Sequence, residues 1–213
     1  MAGGQLRIPR TATVWIAIVT GVFWLLAYVV GLSDQAAVAL GFIPDRWSGA
    51  VLLSSAAPAF LTPLTATLVH AGFLHLALNL IILLWCGTAV ERVLGAGPLV
   101  LIYAVSAYVA AVAQWLVEPF AQVPMVGASG AISGIIGAFA LSFGQQKQIV
   151  ASASLNRALN AMWLLAAWIV LQLLTGTVAG MQGVLLATPA HVGGFLAGLA
   201  LQRPLLMWRY RSA

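Results

Sequence analysis

Ser129 stands in the run Gly127-Ala128-Ser129-Gly130, inside sequence that is otherwise apolar, and all three histidines of the chain (His70, His75 and His191) lie in apolar stretches of the same kind. A polar ring in lipid is costly, so an ionisable residue within a membrane span is a functional hypothesis in its own right. A serine hydroxyl and an imidazole brought together there would form a nucleophile and a general base, the pairing used for acyl transfer. Histidine and asparagine side chains can also serve as donors to a developing oxyanion.

Spacing indicates which of these residues share a face. His75 and Asn79 are four apart and lie on one side of a helix. They either join helices by hydrogen bonds or aim two donors at an oxyanion. His70 precedes His75 by five residues, about 140° round a continuous helix, and is expected to point elsewhere. Gly130 and Gly134 form a small-xxx-small surface that lets another helix approach closely, and Gly194 and Gly198 form a second one a turn beyond His191. Ser129 could be no more than part of the first packing face, its hydroxyl bonded to a backbone carbonyl one turn back. It falls at a helix start, however, where unpaired backbone N–H groups favour negative charge. Ser129 and His191 both come near the beginning of their apolar stretches, and the two glycine faces could bring them within hydrogen-bond reach.

Composition says what must position these residues. The 213-residue chain is 62% hydrophobic and 6% charged, against about 25% charged residues in a soluble domain. Six stretches, approximately 12–31, 68–90, 98–117, 126–143, 158–177 and 189–207, are apolar enough for membrane helices of about 20 residues each. The expected fold is all-α, a polytopic bundle of six transmembrane helices. Residues 1–11 form an N-terminal tail, 12–207 the core and 208–213 a C-terminal tail. The first stretch is too long for a signal-peptide core and lacks a clear cleavage site, so it reads as a span.

The segment 32–67 is long, apolar and interrupted by Pro44, Pro58 and Pro63, which argues for short helices in the outer interface and against a seventh span. Arg7, Arg10, Arg92, Lys147, Arg157, Arg203, Arg209 and Arg211 fall on one side of a six-span arrangement, and Arg46 alone on the other. That asymmetry puts both termini in the cytoplasm and the Ser129 end of the bundle outside.

Other classes fit poorly. The net charge of +5 comes from scattered basic residues without a stripe, so nucleic acid is not an expected partner. The single Cys86 rules out an internal disulfide and reads as a small apolar filler. Metal or haem ligation by the three histidines is disfavoured, since the 70–75 spacing does not put two rings on one helix face and no carboxylate is near. No metal or cofactor is expected. A transporter would show related halves, and these signals do not recur symmetrically. Of the four carboxylates, none lies in the stretches holding Ser129 and His191, and Glu118 is the least remote. A Ser–His dyad is therefore simpler than a triad.

Taken in order, His70-x-x-x-x-His75-Leu-x-x-Asn79, Gly127-x-Ser129-Gly130 and Ala190-His191-x-x-Gly194-x-x-x-Gly198 resemble the motifs of the rhomboid family of intramembrane serine proteases, across residues 12–207. The resemblance implies Ser129 as nucleophile and His191 as base, with His75, Asn79 and the Ser129 backbone N–H as the oxyanion hole. His70 would be a supporting residue near the site, and Glu91-Arg92 a structural motif closing the second span. Implied substrates are single-span membrane proteins cut near the membrane boundary. The alternative is a catalytically inactive rhomboid-like protein that binds membrane clients. Localisation would be the plasma membrane, with oligomeric state open.

Two departures stand out. Leu61-Thr62 occupy places where many members carry Trp-Arg, which bears on anchoring of the first outer loop. Ser133 stands four after the nucleophile, where many members have an aromatic residue under the histidine, so Ser133 is expected to hold His191 by a hydroxyl hydrogen bond. Substrate could enter between spans 2 and 5 or beneath the loop before span 6, where Gly176, Gly180 and Gly183 hint at mobility.

Overall fold

Helices dominate because the chain must satisfy its backbone internally wherever it meets lipid. The computed structural model describes residues 11–49, 53, 55–143, 150–178 and 187–211. Arg7, Arg10, Lys147, Gly180 and Gly183 lie outside the described residues. Helix α1 (Ala12–Val29) is followed by α2 (Ser33–Leu40), α3 (Pro44–Trp47) and α4 (Thr62–Thr65). Then come α5 (Phe73–Ile82), a π-helical turn over Leu83–Gly87, and α6 (Thr88–Leu94), which together make one continuous rod, Phe73–Leu94. Helices α7 (Ala96–Val117), α8 (Ser129–Phe143), α9 (Ala153–Val178) and α10 (Thr188–Arg209) complete the bundle.

Among the described residues four helices are long and apolar enough to cross a membrane: Ala12–Val29, Phe73–Leu94, Ala96–Val117 and Ala153–Leu174. The other two long stretches differ for visible reasons. Helix α8 has only 15 residues, and α10, at 22 residues, carries His191, Gln202 and Arg203 along its length. The second expected span starts as a helix at Phe73 (α5) rather than at 68, after an extended Gly72 (φ 177°). It runs on to Leu94, where Gly95 takes φ 93° and turns the chain into α7.

The most extensive helix contacts are among α7, α8 and α10. Helix α8 is buried on nearly all sides from Ser129 to Ala138, as its run of Ala, Gly, Ser and Ile allows. Small residues set the spacing. A Cβ placed on Gly194 would run into the carbonyl oxygen of Gly130, one on Gly198 into that of Gly134, and one on Gly137 into that of Phe195. The backbones of α8 and α10 thus touch over about two turns of α8, an approach that larger side chains would prevent. By contrast α1 presents Trp15, Val22, Leu26 and Val29 outward, a face suited to lipid.

The N-terminus of α1 is held from another helix. The buried Glu91 carboxylate accepts from the backbone N–H groups of Ala12 (2.8 Å) and Thr13 (2.9 Å) and from the Thr13 hydroxyl (2.6 Å). This satisfies donors that a helix start leaves open, with negative charge at the favourable end of the dipole.

The segment between α1 and α5 contains short helices, as its prolines imply. Arg46 Nη2 donates to the Ala57 carbonyl (2.8 Å) and Trp47 Nε1 to that of Ala59 (2.9 Å). An arginine and a tryptophan one helix earlier therefore tie down the stretch that leads into Leu61-Thr62, while Phe60 stays exposed.

Candidate active site

Four elements converge on the start of α8. The approach to Ser129 is fixed by the segment between α1 and α5: Phe42 and Met125 exchange both backbone hydrogen bonds (2.9 and 2.7 Å), and Gly127 N–H donates to the Ala66 carbonyl (3.0 Å). Gly127 has φ 115°, and a Cβ there would lie 2.7 Å from His75 Nε2. Glycine is required on both counts, the left-handed backbone and the imidazole seated over it. Ser129 is then the first residue of α8, so its own N–H is among those without an intrahelical acceptor.

His191 enters from the first turn of α10. Its Nε2 lies 2.8 Å from Ser129 Oγ, and both residues are buried. The contact exists because the α8 and α10 backbones touch where Gly130, next to Ser129, meets Gly194, one turn beyond His191. Among the described residues His191 Nδ1 has no hydrogen-bond partner. The nearest acid in sequence terms, Glu118, accepts instead from Gln114 Nε2 at 3.0 Å. Chemically this is a hydroxyl and an imidazole with no carboxylate behind them.

His75 and Asn79 share a face, and Asn79 Nδ2 donates to the His75 carbonyl (2.8 Å), leaving one further amide N–H. Asn79 is fully buried and its Oδ1 has no partner among the described residues.

His70 departs from the expectation that it would point away. It precedes the helix, so helical spacing does not apply to it. Its ring meets that of His75 edge to face (centroids 5.0 Å apart), and its Nε2 accepts from the Ala128 N–H at 3.3 Å. Trp24 Nε1 donates to the His70 carbonyl (3.1 Å), which ties this corner to α1. His70 therefore holds the turn immediately before Ser129.

Ser133 also differs from expectation. Its hydroxyl donates to the Ser129 carbonyl (2.7 Å) and accepts from Trp168 Nε1 (2.8 Å), rather than bonding His191. One turn of helix puts Ser133 within reach of its own i−4 carbonyl, and a buried indole N–H takes the remaining lone pair. The ring beside His191 is that of Trp168, 6.3 Å between centroids and inclined at 69°. Trp168 was missed in the sequence. Its signal was there as the buried face of α9, shared with Ala161 and Gln172 at helical spacing.

A family model of the rhomboid domain matches residues 58–208, which span every residue of this constellation from His70 to Gly198. The chain belongs to the rhomboid family. With four helices fit to cross a bilayer among its described residues, this rhomboid is an integral multi-pass membrane protein. It is 43% identical over 75 residues to "Rhomboid protease GluP" of Bacillus subtilis, covering 35% of this chain and 14% of that protein. It is 40% identical over 76 residues to "Putative rhomboid protease YdcA" of the same organism, covering 36% of this chain and 38% of that one. A longer match, 30% identical over 196 residues, is to "Rhomboid-like protease 3" of Toxoplasma gondii, with 88% of this chain and 66% of that protein covered. The chain thus spans between about a seventh and two thirds of these relatives' lengths.

Proposed function

We propose that this rhomboid is an intramembrane serine endopeptidase that cuts single-span membrane proteins at or near the membrane boundary with a Ser129–His191 dyad. The observation that carries the reading is the 2.8 Å approach of His191 Nε2 to Ser129 Oγ at two helix starts, in a family with relatives named as proteases.

Ser129 Oγ attacks the carbonyl carbon of the scissile bond while His191 Nε2 takes the hydroxyl proton. Negative charge develops on the carbonyl oxygen, and the Ser129 backbone N–H, His75 and the second Asn79 N–H stabilise it. His191 then passes its proton to the leaving amine. The acyl-enzyme remains on Ser129 Oγ until water, deprotonated by the same imidazole, attacks it; the new carboxyl end is released as His191 returns that proton to the leaving Ser129 Oγ. With no acid on Nδ1, the imidazole is oriented by its surroundings rather than by a third member.

The same reading makes the chain a six-span protein of the plasma membrane with both termini cytoplasmic and the site towards the outer side. The one-sided distribution of its basic residues supports that orientation. Cleavage-site mapping on a panel of single-span substrates, with Ser129→Ala as control, tests the function. Cleavage by the wild type alone, within or beside the spans, is expected. Binding of such substrates without cleavage would favour an inactive client-binding rhomboid.

A further inference from the structure

We infer that Trp168 is the positioning residue for the His191 imidazole, bracing the ring edge-on from α9 while Ser133 ties its indole to the backbone of Ser129. The inference rests on the dyad reading above. It starts from what His191 lacks. One ring nitrogen faces Ser129, and the other has no hydrogen-bond partner among the described residues. A base held at one nitrogen alone can swing about its side-chain torsions, so neighbouring groups must fix its plane. Among the described residues the aromatic ring packed against His191 is that of Trp168, at a separation and tilt typical of edge-to-face aromatic pairs.

Trp168 is itself pinned. It is 4% exposed, and its N–H donates to Ser133 Oγ at 2.8 Å. That hydroxyl is fully buried and donates in turn to the Ser129 carbonyl at 2.7 Å. The two hydrogen bonds link α9 to the same residue whose hydroxyl His191 engages. Base, nucleophile and brace therefore form a closed loop: Ser129 Oγ to His191, His191 ring to Trp168, Trp168 to Ser133, and Ser133 back to the Ser129 carbonyl. A tryptophan that merely filled the α8–α9 interface would need an acceptor for its N–H, but not one bonded to the nucleophile's own backbone.

The test compares Trp168→Ala, Trp168→Phe, Ser133→Ala and the Trp168→Phe/Ser133→Ala double variant in membranes. The readouts are the rate of labelling by a fluorophosphonate, per folded molecule, and kcat and KM on one mapped substrate. Trp168→Ala should lower kcat and the labelling rate together, roughly 10-fold, with KM nearly unchanged. Trp168→Phe keeps the ring edge and loses only the N–H, so it should recover most of that loss, to within roughly 3-fold of wild type. Ser133→Ala removes the same hydrogen bond from the other side, and the double variant should be no slower than the slower single one.

Wild-type labelling rates per folded molecule in Trp168→Ala would overturn the brace while leaving the dyad reading intact. Should Trp168→Ala not fold, strictly additive losses in the Trp168→Phe/Ser133→Ala pair, or none in either, would overturn it equally. Absence of labelling in the wild type would remove the dyad reading and this inference with it.

Discussion

Gly194→Ala probes the close approach on which the site depends. The added methyl would run into the Gly130 carbonyl oxygen, with the Gly130 carbonyl carbon at 3.1 Å and Ser133 Cβ at 3.3 Å on either side. The obstructing atoms are backbone, which cannot swing aside, so α10 must move off α8. Relief requires a shift on the order of 1 Å, and overpacking of this kind costs about 1–3 kcal/mol. Gly194 lies one turn from His191, so most of that shift reaches the imidazole and lengthens the 2.8 Å contact with Ser129 Oγ beyond hydrogen-bond range. A misplacement of ~1 Å in a catalytic group can cost 10²-fold in rate.

The assay is fluorophosphonate labelling of purified protein, read beside the thermal unfolding midpoint. Gly97→Ala is the control, because a Cβ there meets nothing within 4 Å on an exposed part of α7. Gly194→Ala should label about 100-fold more slowly and unfold at lower temperature, with Gly97→Ala at least as stable as wild type. Wild-type labelling and an unchanged midpoint in Gly194→Ala would refute the argument that backbone contact between α8 and α10 sets the site.

Gly127→Ala should depress labelling strongly with little loss of helix content. Its methyl falls 2.7 Å from His75 Nε2 at φ 115°, displacing that ring; labelling rate against circular dichroism checks it. Asn79→Ala removes a fully buried amide proposed to face the oxyanion and should lower kcat by roughly 10²-fold with KM nearly constant, measured on one mapped substrate. Glu91→Gln weakens three hydrogen bonds to Ala12 and Thr13 far from Ser129. It should lower the unfolding midpoint by an amount matching roughly 1–2 kcal/mol, leaving the labelling rate per folded molecule unchanged.

The sequence made the pairing of glycine faces legible because Gly130/Gly134 and Gly194/Gly198 recur at four residues, a spacing with one physical meaning on a helix. It made the all-helical class legible because so apolar a chain in lipid has few other ways to satisfy its backbone. Where helical periodicity did not apply, inference from spacing failed. His70 lies before the Gly72 break, so its distance from His75 along the chain said nothing about direction, and the two rings meet. The exchange of hydrogen bonds between Phe42 and Met125 joins residues 83 apart through backbone atoms, which carry no side-chain signal. Ser133 bonds the Ser129 carbonyl and Trp168 rather than His191, because a serine's hydroxyl reaches its own helix before it reaches across to another. Trp168 could have been found from the buried periodicity of α9, but only three-dimensional proximity assigns it to His191.

The central claim is that Ser129 is a nucleophile activated by His191, and labelling with a tagged fluorophosphonate in native membranes, followed by mass-spectrometric identification of the modified peptide, tests it most directly. The expected result is a single adduct on Ser129, absent in Ser129→Ala and strongly reduced in His191→Ala. An unlabelled wild type, or an adduct that persists in Ser129→Ala, would contradict it.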